Sequence, residues 1–172
     1  TAVTEPKGPV YLCFDVPLQE DPLPSPMPQI NVQRVPVPTR IAPDTTALAQ
    51  VTDLLIQAEN PVIMAQYVGR NHEAVPYLTM LAELLALPVL DHHGRLNFPT
   101  NHPLNLTGSN LRESADLVLA LDMSDLYGAL TRRDPKTRRS SYVTPSGCKI
   151  VEIGLGDLGM KPWSQGFQRF QE

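Results

Sequence analysis

The chain has 172 residues, of which 42% are hydrophobic and 19% are charged, and its formal net charge is −4. These values are typical of a folded globular chain and exclude an intrinsically disordered one. The acidic balance argues against a nucleic-acid-binding protein, which normally carries a basic surface. No apolar run reaches the roughly 18 residues that a transmembrane helix requires, so no membrane association is expected.

The two cysteines, Cys13 and Cys148, lie in apolar stretches that the sequence predicts as strands. Both are therefore expected to be buried, inert thiols. A disulfide framework would need more cysteines in a secreted chain. Because no signal peptide is recognisable, the cytoplasm is the expected location. The chain starts at Thr1 and lacks an initiator Met, as expected of a processed chain or of a piece excised from a longer protein.

Proline dominates the first quarter of the chain. Residues 8–16 have the Val, Tyr and Phe content typical of a strand. The alternating prolines of residues 18–43 exclude helix and predict an extended, semi-rigid linker. Since a lone strand is not a stable domain, the first strand must pair with the rest of the chain or belong to a domain that has been cut away.

From Asp44 onwards, helices and short apolar strands alternate. Asp44 is a favourable N-cap for the first helix. The predicted helices cover residues 44–59, a segment ending at about 86, 109–115 and 124–130, and the predicted strands cover 62–65, 88–90, 117–121 and 148–153. Residues 91–107 and 131–147 are predicted loops, and no period is evident after residue 154. This order predicts an α/β fold, a three-layer Rossmann-like domain with a mainly parallel sheet and helices on both faces.

Three strand ends should meet at the carboxyl edge of this sheet, where doubly wound folds bind nucleotides. The loop of residues 66–71 would face a phosphate at the N-terminus of the following helix. Asp91 comes 22 positions after Gly69, near the spacing at which an acid contacts a ribose. The predicted cofactor-binding residues are Gln66, Tyr67, Gly69, Arg70, Asn71, Asp91, His93, Gly94, Arg95, Asp122 and Ser124.

Other interpretations of these segments stay open. The loop of residues 66–71 has one glycine where a dinucleotide fingerprint has several, so the edge could instead be vestigial or form an interface. The basic run of residues 132–139 is either a solvated loop or a contact for an acidic partner, a phosphate or another subunit. A GxGxxG pattern at residues 154–159 follows the last strand and is interpreted as a turn-rich connection. No metal site and no catalytic constellation is predicted.

Several segments, taken in order, resemble the central domain of thiamine-diphosphate-dependent enzymes of the acetolactate synthase-like superfamily. Residues 8–17 resemble the last strand of that family's N-terminal pyrimidine-binding domain, and the Pro-rich linker follows it. The segments that carry the resemblance to the central domain are PVIMA at residues 61–65, LAELLALPV at 81–89, HPL at 102–104 with Gly108, and ADLVLALD at 115–122. Three segments depart from the family's pattern: residues 66–71, where a Gly-rich turn is usual, Gly94-Arg95-Leu96, and the region reduced to Gly108.

The resemblance implies a domain organisation and a role. Residues 1–17 would end the severed N-terminal domain, 18–43 would be the linker, 44–157 the central α/β domain, and 158–172 a connection toward a C-terminal domain. The parent would use thiamine diphosphate and Mg²⁺ to make or break C–C bonds in 2-keto acids or aldehydes, including decarboxylation. This chain would be non-catalytic and structural or interdomain, with FAD or ADP as an implied ligand and a homodimer or homotetramer as the implied assembly. The alternative is a stand-alone nucleotide-binding or regulatory α/β module.

Overall fold

The computed structural model describes residues 9–23, 25–26, 29–34 and 41–155. The predicted connection of residues 158–172, Gly8, and Gly156 and Gly159 of the GxGxxG pattern lie outside these residues. The chain divides into two compact units, Thr1–Pro43 and Asp44–Glu172. In the described part, no helix is long and apolar enough to span a membrane.

The first unit contains short helical segments where the sequence predicted a strand and an extended linker. Residues 9–15 form no strand, and helix α1 (Val16–Glu20) begins where Asp15 accepts a hydrogen bond from the Val16 N–H at 3.0 Å. A 3-10 helix spans Val32–Arg34. The predicted strand is thus wrong over the described residues, and so is the exclusion of helix, because proline is tolerated in a helix's first turn. Cys13 is exposed, which contradicts its predicted burial.

The second unit has the predicted α/β order. Its elements are α2 (Thr45–Gln57), β1 (Pro61–Ala65), α3 (Ala74–Leu85), β2 (Val89–Asp91), β3 (Leu117–Leu121), α4 (Leu126–Leu130), β4 (Thr131–Arg133), β5 (Ser140–Tyr142) and β6 (Lys149–Ile153). The predicted N-cap is confirmed, because the Asp44 carboxylate accepts a hydrogen bond from the Ala47 N–H at 3.1 Å. The helix predicted at residues 109–115 is a single 3-10 turn, Leu111–Glu113.

Four parallel strands form the main sheet in the order β2-β1-β3-β6. Asp116, the residue before β3, connects the start of this sheet to the end of α2. Its carboxylate accepts the N–H groups of Glu59 at 2.7 Å and Asn60 at 2.9 Å. These hydrogen bonds lower the pKa of Asp116, the one from Glu59 most. Asp116, the first of the two acids in the ADLVLALD segment, therefore has a structural role.

Hydrophobic side chains cover both faces of the sheet, as the α/β prediction requires. One face packs against α2 and α3 through residues such as Ile63, Leu78 and Ala82. The other packs against α4 through Met64, Val118 and Leu126, among others. The central strands alternate between the two clusters along their length, so each is buried on both sides. The prediction of a mainly parallel sheet with helices on both faces is confirmed.

The segment of residues 131–147 is not simply a loop, because β4 and β5 pair as an antiparallel hairpin. At its turn, Asp134 accepts the N–H groups of Lys136 at 2.7 Å and Thr137 at 2.9 Å. Arg138 adopts a positive φ of 59°, which allows the chain to reverse. The turn uses no Asn-Gly, Asp-Gly or other glycine signal. This explains why the sequence did not reveal it.

Cys148 lies just before β6 and is half-buried, so its predicted full burial is wrong. Burial raises the pKa of its thiol, and the charge of Asp116 raises it further. The Cys148 thiol is accordingly held in its neutral form. Its predicted low reactivity agrees with this direction.

Candidate functional site

The strand order places a topological switch point between β1 and β3. From β1 the chain crosses through α3 to β2 on one side, and it then returns to β3 on the other side. The loops that follow β1 and β3 therefore start next to each other at the carboxyl edge. The Gln66 N–H donates to the Leu121 carbonyl at 3.2 Å, which joins the two loops at their base.

An ion pair crosses this switch point. The Arg70 guanidinium, in the loop after β1, donates to both carboxylate oxygens of Asp122, the residue after β3. The distances are 2.6 Å from Nη2 to Oδ1, 2.5 Å from Nη2 to Oδ2, and 3.1 Å from Nε to Oδ2. The two side chains are only 26% and 25% exposed. A two-pronged, partly buried pair of this kind is stronger and more directional than a surface ion pair.

Neighbouring groups hold the two partners in place. The Arg70 guanidinium carbon lies 5.1 Å from the centre of the Tyr67 ring, within the range of a cation–π contact. The Asp122 N–H donates to the carbonyl of Ile153 in β6 at 2.8 Å. Asp122 also has a positive φ of 51°, which is unusual for a residue other than glycine. The surrounding hydrogen bonds stabilise this backbone, and the carboxylate faces Arg70.

A second link runs parallel to the ion pair. The Gln66 side-chain oxygen accepts hydrogen bonds from the Ser124 N–H at 2.8 Å and from the Ser124 hydroxyl at 3.0 Å. The loops after β1 and β3 are therefore joined by two side-chain bridges. We call Gln66, Arg70, Asp122 and Ser124 together the cross-loop bridge. All four are among the predicted site residues.

Asp91 and His93 belong to a separate network centred on Asn97, which the sequence did not indicate. Asn97 is fully buried, and its amide nitrogen donates to the Asp91 carboxylate at 2.7 Å and to the Arg95 carbonyl at 2.9 Å. Its side-chain oxygen accepts the Gly69 N–H at 3.2 Å. The His93 N–H donates to Asp91 at 2.9 Å. Both Asp91 oxygens accept hydrogen bonds from this loop, so the acid organises the loop rather than facing outwards.

The two glycines predicted at the site are required by packing. A Cβ on Gly69 would overlap the backbone carbonyl oxygen of Leu96, so the two loops touch at that point. Gly94 has a positive φ of 86°, and a Cβ there would lie 3.0 Å from the ring of Tyr67. In a dinucleotide fingerprint, the glycines leave room for pyrophosphate. Here the space beside both glycines is filled by this chain.

Asn71 and Arg95 complete the set of predicted residues and lie outside the bridge. The Asn71 side-chain oxygen accepts the Glu73 N–H at 3.2 Å, just before α3. Arg95 is exposed, and its described hydrogen bond is made by its backbone carbonyl. Ten of the eleven predicted residues thus lie in or against the two adjacent networks, and Asn71 lies outside both. Whether any of them binds a ligand stays a prediction.

Two titratable groups near the edge have perturbed pKa values. Burial raises the pKa of Glu152 in β6, and the negative charge of Asp122 raises it further. One carboxylate oxygen of Glu152 is buried and has no hydrogen-bond partner among the described residues. Burial lowers the pKa of His92, and the Arg112 charge lowers it further, despite the opposing effect of Asp91. His92 is therefore held in its neutral form. Burial and the charge of Asp122 both disfavour the ionised form of Glu152.

The residues at this edge do not fit an FAD or ADP molecule as they stand. The place where a nucleotide would enter is crossed by the ion pair and the Gln66–Ser124 hydrogen bonds. Entry of a phosphate would require Arg70 to leave Asp122, which would expose a partly buried charge without its partner. The geometry is that of an edge closed by these two side-chain bridges.

Comparisons with known proteins give matches in structure alone. No family model matches the sequence, and no curated protein matches it significantly. Benzoylformate decarboxylase from Polynucleobacter necessarius matches 89% of this chain at 22% identity with a TM-score of 0.68. A candidate thiamin diphosphate-dependent enzyme from Mycobacterium smegmatis matches 68% at 24% identity with a TM-score of 0.53. This chain covers 28% and 23% of those proteins, respectively, so it has the fold of one region within them.

A double-mutant cycle on Arg70→Ala and Asp122→Ala should give a coupling free energy of about 1–3 kcal/mol in urea unfolding, because the pair is charged, bidentate and partly buried. The matched control is the Arg132–Glu113 pair, at 2.8 Å but 70% and 45% exposed. Its coupling should lie below about 1 kcal/mol. Equal coupling in the two pairs would contradict a special role for the cross-loop bridge.

Glu152→Gln should stabilise the fold at pH 7. Because the folded-state pKa of Glu152 is raised above its ordinary value of 4.5, folding disfavours the ionised form. The wild-type protein therefore loses stability relative to the variant as pH rises above about 4.5, and the difference vanishes below it, where the carboxyl is protonated in both states. Thermal unfolding from pH 4 to 8 measures this. Glu113→Gln, at an exposed ion pair, is the control and should give no gain.

Proposed function

We propose that this chain is the central domain of a thiamine-diphosphate-dependent, acetolactate-synthase-like enzyme that acts on 2-keto acids or aldehydes. The observation that carries the proposal is the structural match, which spans 89% of this chain but 28% of a benzoylformate decarboxylase. A chain whose fold matches 28% of a much longer enzyme is expected if the chain is one domain of such an enzyme. The flanking catalytic domains are then its covalent partners, and the cytoplasm is the proposed location.

We propose a structural role for the domain within that enzyme. The support is the cross-loop bridge, which closes the edge where a doubly wound domain would bind a nucleotide. Thiamine diphosphate serves as an electron sink when it is bound to such enzymes. In the described residues, no group of three or more His, Cys, Asp or Glu side chains is arranged to hold a metal ion. Following the resemblance, the proposal assigns Mg²⁺ and the diphosphate to the flanking domains.

One observation favours the second candidate, a nucleotide-binding module. Helix α3 follows β1 at the carboxyl edge, and no side chain caps its first turn from the N-cap residue Glu73. The dipole at the start of a helix attracts anions such as phosphate, but here the Ala74 and Val75 N–H groups donate to the carbonyls of Asn71 and His72, and Pro76 has no N–H. For FAD or ADP to bind there, Arg70 would have to break its ion pair with Asp122 and contact the ligand instead.

The test compares ligands on the longer gene product and on this chain. The longer protein should consume 2-keto acids only when thiamine diphosphate and Mg²⁺ are supplied. Independence from thiamine diphosphate would contradict the proposed enzyme class. This chain should show no thermal shift with FAD or ADP. A ligand at 100 times its Kd would add about 2.7 kcal/mol, roughly 5–10 °C for a domain of this size. Such a shift would contradict the structural role and favour the nucleotide-binding module.

A further inference from the structure

The chain separates its charges into a basic hairpin and an acidic body. The hairpin segment, residues 131–142, contains five basic residues and one acidic residue, for a formal charge of +4. Since the whole chain carries −4, the rest of it carries −8. The separation is large for a small acidic protein, and fields of this kind act between molecules over about 10 Å at ordinary salt.

The basic hairpin is a defined projection. Its turn is fixed by the hydrogen bonds to Asp134, which lower the pKa of that carboxyl, the one from Thr137 most. At its base the Tyr127 and Tyr142 rings meet edge-to-face with centroids 6.3 Å apart. From residue 132 to residue 142 every position is exposed. The cations of the hairpin are therefore presented on an ordered element.

The outer surface of α2 and α3 has the opposite charge. Residues 44–59 and 73–85 contain five acidic residues and no Lys or Arg. All five are exposed; they are Asp44, Asp53, Glu59, Glu73 and Glu83. Both helices pack on the same face of the sheet. The hairpin follows α4, which packs on the other face. The hairpin and this acidic surface therefore belong to different elements of the domain.

The same surface is unusually apolar for an exposed one. Tyr77 is 72% exposed, Met80 61% and Leu84 79%, and together with Glu73 they follow helical spacing along the outer side of α3. Ile56 on α2 is 68% exposed. A cleft of about 500 Å³ lies between the C-terminal ends of the two helices, with Ile56, Glu59 and Leu85 in its lining. Apolar side chains rimmed by acids are typical of a contact surface.

We propose that the basic hairpin of one copy of this chain binds the α2–α3 surface of a second copy. The charges of the two surfaces are complementary. Arg and Lys side chains suit this surface, since their aliphatic stems cover apolar groups while their charged ends reach carboxylates. An Arg guanidinium can also stack on an exposed ring such as that of Tyr77. This inference does not depend on the proposed function.

The size of the hairpin sets the strength of the contact. Each of its strands has three residues, so one hairpin covers much less than the roughly 800 Å² per partner of a standard interface. Association through so small a contact is expected to be weak and transient. Two reciprocal contacts would close a dimer, whereas one-way contacts would continue into longer assemblies.

The test is sedimentation velocity of the complete 172-residue chain over a concentration series, at low and at high salt. Wild type should associate, and Kd should rise at high salt because the contact is electrostatic. Arg139→Glu should raise Kd at least about tenfold. Arg95→Glu, an exposed Arg at the carboxyl edge, is the matched charge control and should leave Kd unchanged. Circular dichroism establishes that each variant is folded.

A charge exchange identifies the partner surface. Asp53→Lys should weaken association, and combining it with Arg139→Glu in one chain should restore it, whereas Glu20→Lys should have no effect. A monomer at every concentration, association that strengthens with salt, or failure of the combined variant to recover would each overturn the proposal. So would tighter binding of wild type to a short DNA duplex than to itself, abolished by Arg139→Glu.

Discussion

The closed carboxyl edge of this domain depends on the ion pair between Arg70 and Asp122. The sheet reverses its winding direction between β1 and β3, which leaves two adjacent loops diverging from a common base. Parallel pairing holds the strands but not the loops beyond them. A bidentate pair with little solvent exposure joins the loops, because neither charge can leave water without the other. The Tyr67 ring, the Asn97 network and the contact of Gly69 with Leu96 all support this arrangement.

A closed carboxyl edge changes what the fold can do. Many α/β domains leave this edge open and use it for ligands. Here Arg70 bonds to Asp122 and Gln66 bonds to Ser124 across the edge, and among the described residues a buried oxygen of Glu152 has no hydrogen-bond partner. Exposed apolar and charged side chains lie elsewhere, on the outer side of α2 and α3 and on the basic hairpin. The domain is therefore better suited to contacts with protein surfaces than to holding a small ligand, which agrees with the proposed structural role.

The sequence predicted the regular secondary-structure elements of the second unit well, because the signals for helices and strands are local. The apolar strands at residues 61–65 and 117–121 and the N-cap at Asp44 are features of neighbouring residues. It failed where a segment depends on distant partners. Residues 9–15 have strand-like composition but no paired strand, and the hairpin at 131–142 turns without a glycine signal.

The sequence located the residues of the candidate site but did not reveal the ion pair and hydrogen bonds that they form with one another. Strand ends and loops can be located from periodicity, so the residues at the carboxyl edge were found. The bonds that these residues form with one another could not be inferred, because Arg70 and Asp122 are 52 positions apart and no local sequence signal pairs them. Asn97 gave no signal, since a buried amide differs from a loop amide only in its surroundings. Gly69 and Gly94 were correctly placed at the edge, but the space beside each of them is filled by other residues of this chain.

The most direct test of the closed edge is an NMR titration of this chain with ADP. It would follow the Nε–H signal of Arg70, assigned by its loss in Arg70→Lys, together with the backbone N–H signals of Gln66 and Ser124. All three signals should stay in place at millimolar ADP, and the Arg70 signal should move in Asp122→Asn. Saturable shifts of the three signals with ADP would show that the ligand displaces Asp122, and would contradict the closed edge.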